Sequence, residues 1–177
     1  MEHETPRGSS LNAGPGEELV SVRALASPAR REIEALAEIF DQYRVHYGEA
    51  SDAFRSASWL DEHLGTSRLR VFVAEDSVRF VGFAIAMDVP ASLRLGHFWQ
   101  IRDLFVLPTH RRFGVGRALL GSVRAAAIAA GALRLVVQTE DDNEAALRLY
   151  ADNGYALIKG YCSLMLPLGP EPRPPPA

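Results

Sequence analysis

The stretch "LFVLPTHRRFGVGRALL", Leu104 to Leu120, decides how this chain folds. It opens as an apolar strand, passes Pro108, Arg111 and Arg112, and enters a helical pattern through Gly114 and Gly116. The first N–H groups of a helix have no intrahelical partner, and that end carries partial positive charge. Glycine lets a ligand oxygen come close to those amides. Arginine adds charge in a geometry suited to phosphate oxygens. The segment therefore reads as an anion cradle, with a pyrophosphate as its natural guest.

Three readings of the glycines are open. One is a structural turn with a solvated basic edge. A second is a dinucleotide site, but position 119 is Leu, and Pro108 to Phe113 separates the strand from the first glycine. The phosphate loop of nucleotide hydrolases needs Gly-Lys-Ser/Thr, which does not follow here. The third is a coenzyme A pyrophosphate site.

Outward from this stretch, the pattern gives an order of elements. "ELVSVRAL" reads as a first strand. "SPARREIEALAEIFDQYRVHYG" reads as a helix capped by Ser27, with Pro28 at its first position and Gly48 at its stop. "SDAFRSASWLDEHLG" is a second helix, capped by Ser51 or Asp52 and ended by Gly65. "LRVFVAEDSVRFVGFAIAMDV" is two strands around Asp76-Ser77, where Gly82 marks a bulge or a close backbone approach. "PASLRLG" is a loop, and "HFWQIRDLFVL" an apolar, central strand. The helix after Gly114 buries Val115, Leu119, Val123 and Ala126 and ends at Gly131. "LRLVVQT" is a short strand covered on both faces. "NEAALRLYADNG" is a helix capped by Asn143 and stopped by Gly154, and "YALIKGYCSLMLPL" closes the domain as one or two strands. The expected fold class is α/β: a mixed, mostly antiparallel central sheet with one parallel, right-handed strand-helix-strand unit and helices on both faces.

A length of 177 residues suits one domain, and 47% hydrophobic residues suffice for a core. Residues 1–16 read as a flexible leader, 17–168 as the domain and 169–177 as a disordered, proline-rich tail. A net charge of -3 argues against nucleic acid as a partner. No apolar run is long enough to span a membrane. The single cysteine, Cys162, forms no internal disulfide and no metal cluster, which suits a cytoplasmic location; it reads as a buried small apolar side chain. No metal site is expected.

The stretch around Gly114 resembles the signature of the GNAT superfamily of N-acetyltransferases, a strand ending in V-x-P followed by R/Q-x-x-G-x-G/A at a helix start. Val106, Pro108, Arg111, Gly114 and Gly116 match it. A second stretch, "NEAALRLYADNGY", resembles the family's N-x-x-A-x-x-x-Y-x-x-x-G-F/Y through Asn143, Ala146, Tyr150, Gly154 and Tyr155. The resemblance implies the acyl-CoA N-acyltransferase fold, acetyl-CoA as cosubstrate and transfer to a primary amine. It implies that Arg111 and the backbone amides of Arg112, Phe113, Gly114, Val115, Gly116 and Arg117 hold the pyrophosphate. It places the pantetheine arm along Leu104, Phe105 and Val106, with Asn143 touching that arm and Tyr150 near the thioester sulfur.

A tyrosine with its ordinary pKa near 10 is protonated at neutral pH and can donate to a departing thiolate. The base is open between Asp103, His97, Glu140 and water. Asp103 stands in an otherwise apolar strand, where an unpaired carboxylate is costly. Its partner is expected to be a substrate ammonium, Arg102, Arg134 or an internal cap, and it also resembles an acidic position of spermidine/spermine acetyltransferases. His97, six residues earlier, falls on the same face by strand alternation and could relay a proton through water. Tyr43, Tyr47 and Trp59, the loop Pro90 to Gly96 and the strand near Tyr161 are expected on the acceptor side, although each aromatic also reads as core. "FDQYRVHYGEASD" and "WQIRDLFVLPTHRR" resemble a subgroup of small single-domain bacterial acetyltransferases. The acceptor is expected to be a small cationic amine. Protein or peptide amine acetylation, and non-catalytic coenzyme A binding, are the alternatives. A homodimer is the expected assembly.

Overall fold

Alternating apolar residues in the Val- and Phe-rich middle of the chain build the sheet. The computed structural model describes residues 20–64, 69–160 and 162–169. Strands β1 (Ser21–Leu25), β2 (Leu69–Glu75), β3 (Phe80–Ala91), β4 (Gly96–Val106) and β5 (Leu135–Val137) lie side by side in chain order. The first three pairings are antiparallel, and β4 with β5 is parallel. Helices α1 (Arg30–His46) and α2 (Ala53–Leu64) connect β1 to β2; α3 (Val115–Ala129) connects β4 to β5; α4 (Glu144–Asp152) follows. The mixed sheet expected from the pattern is present. The whole leader and residues 17–19, Gly65, Tyr161 and residues 170–177 of the tail lie outside the described residues.

Register assigns the two faces. Val71 opposes Ile85, Val73 opposes Phe83, and the ladder continues to Phe105 and Asp103 of β4. Phe83 meets the rings of Phe40 and Tyr43, so this is the α1 face. Residues Phe72, Ala74, Ala84, Gly82, Leu104 and Val106 belong to the other face, which α3 covers. Gly82 is both a close backbone approach and the neighbour of a bulge, since Ala74 opposes Gly82 but Glu75 opposes Phe80, which leaves Val81 extra. A Cβ on Gly82 would lie 3.0 Å from the Phe105 carbonyl oxygen and 3.2 Å from Leu119 Cδ1. Gly82→Ala is expected to cost about 1–3 kcal/mol through overpacking, read as a lower urea midpoint at unchanged slope.

Several local expectations change. The N-cap of α1 is Ala29, not Ser27, because the Glu32 carboxylate reaches back to accept the Ala29 N–H at 2.8 Å. At the next junction Asp52 caps α2, accepting the Arg55 N–H at 2.9 Å. The buried Asp41 carboxylate ties the end of α1 to the start of α2, accepting Ser51 Oγ at 2.6 Å and the Asp52 N–H at 2.9 Å. Strand β3 extends into the first two residues of the expected loop, to Ala91, and β4 is second from the edge rather than central.

The largest departure is at the C-terminus. Among the described residues after Gly154 there is no strand, and Leu164, Met165, Leu166 and Leu168 are exposed. Among the described residues β5 pairs with β4 alone, so its other edge is open and the C-terminal run leaves it unpaired. Cys162 is correspondingly exposed, not buried.

Candidate active site

A one-residue bulge in β4 gives the site its shape. Ile85 opposes Asp103 but Ala86 opposes Ile101, so Arg102 is an extra residue and the strand changes phase there. Below the bulge, odd-numbered residues face α3; above it, they face α1. His97 and Asp103 are therefore on opposite faces, contrary to simple alternation. His97 bonds Asp88 at 2.7 Å and the Ala130 carbonyl at 3.1 Å, away from the cleft. The bulge removes it as a relay to Asp103.

Past the bulge, β4 and β5 part. Their pairing ends at Ile101 with Val137, yet β4 continues to Val106. The Leu107 N–H donates to Val81 of β3 at 2.9 Å, so by alternation Val106 and Leu104 turn their N–H and C=O groups to the opposite edge, which no strand pairs and where the Val106 carbonyl accepts from Arg111. A cleft of about 840 Å³ opens along that edge. Leu104, Phe105 and Val106 line one wall and Gln138, Thr139 and Glu140 the other.

The glycine turn closes one end. Arg112 has φ 70° and Gly114 φ 80°, two left-handed residues that fold the chain sharply from β4 into α3. Ala118 donates to Gly114, the first helical bond of α3, so the N–H groups of Val115, Gly116 and Arg117 have no intrahelical acceptor. Gly114 is the N-cap and supplies no capping side chain. The turn is an uncapped cradle of amides, and it fits a diphosphate. Arg111 is partly committed: its Nε donates to the Val106 carbonyl at 3.0 Å and its guanidinium lies over Phe105. Arg112, Gly114, Val115, Gly116 and Arg117 line the cleft, whereas Phe113 is 61% exposed and does not.

Helix α4 supplies the last wall. Asn143 lines the cleft, but its Oδ1 caps α4 by accepting the Ala146 N–H at 3.1 Å. Tyr150 lies almost wholly buried on the same wall. Burial first, then the nearby Tyr155, Tyr47 and Glu140, push its hydroxyl up to about 12, so it stays a proton donor through neutral pH.

At the other end, Asp103 and Glu140 line the cleft beside Tyr43, His46 and Tyr47 of α1. Within the protein the partner of the Asp103 side chain is the Tyr43 hydroxyl, donating to Oδ1 at 2.8 Å, while Arg134 lies over Phe98 instead. Burial raises the Asp103 pKa, against the smaller opposing effects of Tyr43 and Arg102. A raised native pKa means the folded state binds more protons than the unfolded one, so stability present at low pH is lost as pH rises through the native value. Asp103→Asn is therefore expected to raise Tm at pH 7–8 and to lose that gain below about pH 4, measured by calorimetry across pH.

Two acceptor-side expectations fail. Trp59 stacks on Phe40 and His63 and does not line the cleft. Residues Pro90 to Gly96 lie at the far end of the β3–β4 ladder. His46 and His110, which sequence reasoning did not single out, do line it. His46 is one turn from Tyr43 on the same helix, and that spacing was a readable signal.

A strand pair that splays over an uncapped helix start, with a buried tyrosine opposite, defines an acyl-coenzyme A transferase cleft. Comparison with known proteins agrees. Residues 33–155 match the profile of the acetyltransferase (GNAT) family, and the chain belongs to that family. The uncharacterized N-acetyltransferase YhfO of Bacillus subtilis is 34% identical over 127 residues, covering 72% of this chain and 85% of its own. A crystal structure described as a probable acetyltransferase superposes with TM-score 0.77 at 26% identity, over 85% of this chain and 99% of the other. An aminoglycoside N-acetyltransferase, AAC(6')-Iy in complex with CoA, superposes with TM-score 0.69 at 17% identity, over 87% of this chain and 99% of the other. The protein is thus an N-acetyltransferase of the kind that uses acetyl-CoA.

Proposed function

We propose that this enzyme moves the acetyl group of acetyl-CoA directly onto the primary amine of a small cationic molecule. One observation carries the reading: a single cleft is basic and amide-rich at the glycine turn and carboxylate- and aromatic-lined at Asp103, Glu140, Tyr43 and Tyr47. The first end suits the diphosphate of coenzyme A, held by the amides of Val115, Gly116 and Arg117 with Arg111 and Arg112 adding charge. The unpaired edge at Leu104 and Val106 suits the amide groups of the pantetheine arm and can polarise the thioester carbonyl.

The second end suits an alkylammonium. Carboxylates attract it, and aromatic faces hold cations at little desolvation cost. Asp103, or water it orders, takes a proton from the ammonium. The neutral nitrogen attacks the thioester carbon, the C–S bond breaks, the departing sulfur takes the Tyr150 proton, and the second proton shed by the nitrogen as it becomes an amide returns to Tyr150 through water. That a neighbour of the same fold is an aminoglycoside acetyltransferase supports a polyamine-like acceptor.

The test is thiol release from acetyl-CoA with a panel of simple amines, polyamines, amino acids, aminoglycosides and peptides, with products identified by mass. Acetylation of small polycations is the expected result. Acetylation confined to peptides or protein amines would overturn the assignment.

A further inference from the structure

We infer that Tyr43 is a positioning residue, whose hydroxyl fixes the Asp103 carboxylate at the bulge and so sets how the acceptor ammonium meets it. This rests on the reading above that Asp103 serves the acceptor. Among the described residues, the Tyr43 hydroxyl is the one hydrogen-bond partner of the Asp103 side chain, at 2.8 Å. The donor itself is held rigidly. Its ring lies 5.0 Å from Tyr47, 5.6 Å from Phe83, 5.8 Å from Phe105 and 5.9 Å from Phe40. A ring needed only to fill that aromatic cluster would have no use for a hydroxyl.

Two separate devices thus act on one carboxylate. The extra residue Arg102 turns Asp103 to the α1 face, and Tyr43, sixty positions away in sequence, meets it there. The bond occupies Oδ1 with a donor that cannot leave its cluster. A second donor is then directed to Oδ2 or to the remaining lone pair of Oδ1. Because Tyr43 donates to the charged form, its hydroxyl opposes the burial that raises the Asp103 pKa. The other charged or titratable groups facing this end are His46 and Tyr47 of α1, Arg102 of β4, Arg111 of the turn, Glu140 after β5 and Tyr150 of α4.

The test compares wild type, Tyr43→Phe and Asp103→Asn, each first shown to bind acetyl-CoA. The Asp103 carboxyl is followed by 13C NMR across pH, with and without propylammonium as a bare-ammonium probe. Tyr43→Phe keeps the ring and its packing. Its Asp103 midpoint is expected to move to higher pH. Propylammonium affinity is expected to fall about 3–10-fold between the wild-type and variant midpoints, where wild type alone carries the carboxylate charge. Asp103→Asn is expected to weaken propylammonium binding at every pH above the wild-type midpoint. A role confined to packing would lower Tm and leave the midpoint in place. An unchanged midpoint in Tyr43→Phe overturns the inference and leaves the acceptor role of Asp103 standing. A wild-type Asp103 resonance untouched by propylammonium overturns that role, and the inference with it.

Discussion

Tyr150→Phe is expected to lower kcat for amine acetylation by about 10²–10⁴-fold while acetyl-CoA binds with nearly unchanged affinity. The side chain is almost wholly buried against the cleft, and its ring packs 5.6 Å from Tyr155. Phenylalanine keeps that packing and deletes only the proton. The departing thiolate then leaves without an acid, which acts on the transition state and not on cosubstrate binding. Burial holds the hydroxyl at about 12, so wild-type turnover should show no alkaline fall from Tyr150 below about pH 10. The check is kcat from thiol release beside Kd from calorimetry. Unchanged turnover in the variant removes Tyr150 from the chemistry.

Gly114→Asp is expected to weaken acetyl-CoA binding by at least about 100-fold, the combined result of two effects. At φ 80° a side chain costs about 1–2 kcal/mol. A carboxylate at the N-cap also sets a charge against the diphosphate and offers its own oxygens to the amides of Gly116 and Arg117. Nothing lies within 4 Å of a Cβ at this position, so the protein itself has room. Gly114→Ala separates the two effects: it carries the backbone strain without the charge, and should lose stability while keeping most of its affinity. Calorimetric titration with acetyl-CoA checks both. Equal affinities in Gly114→Asp and wild type would show that the diphosphate is held elsewhere.

Local chemistry made much of this legible beforehand. The cradle at Gly114 and the wall carrying Tyr150 are short-range patterns, a strand running into a glycine-opened helix and a capped amphipathic turn. Their residues arrive in one cleft because both flank β5. What could not be read was long-range or depended on phase. No alternation rule reveals that Arg102 is inserted, so His97 was placed on the wrong face. The Tyr43–Asp103 bond joins two elements whose meeting only the register of β3 and β4 decides. Trp59 was drawn to the cleft by its type and to Phe40 by its position. The C-terminal run has the composition of a strand, yet among the described residues it leaves the open edge of β5 unpaired. Phe113, at the centre of the motif, faces solvent, because a sharp turn presents its backbone inward and its side chains outward.

The inserted Arg102 also divides β4 into two stretches that obey different demands. From Trp99 to Ile101 the odd positions are core packing against α3; from Asp103 onward the odd positions belong to the acceptor chamber. Removing the residue at 102 would close the bulge and leave Ile101 opposite Ala86 and Asp103 opposite Ile85, so both faces would keep their side chains and the strand would lose only its local bend. Paired straight through from Ile101 with no residue looped out, the same sequence would instead set Asp103 opposite Ala84, in the layer beneath α3, and turn Leu104 to the aromatic rings of α1.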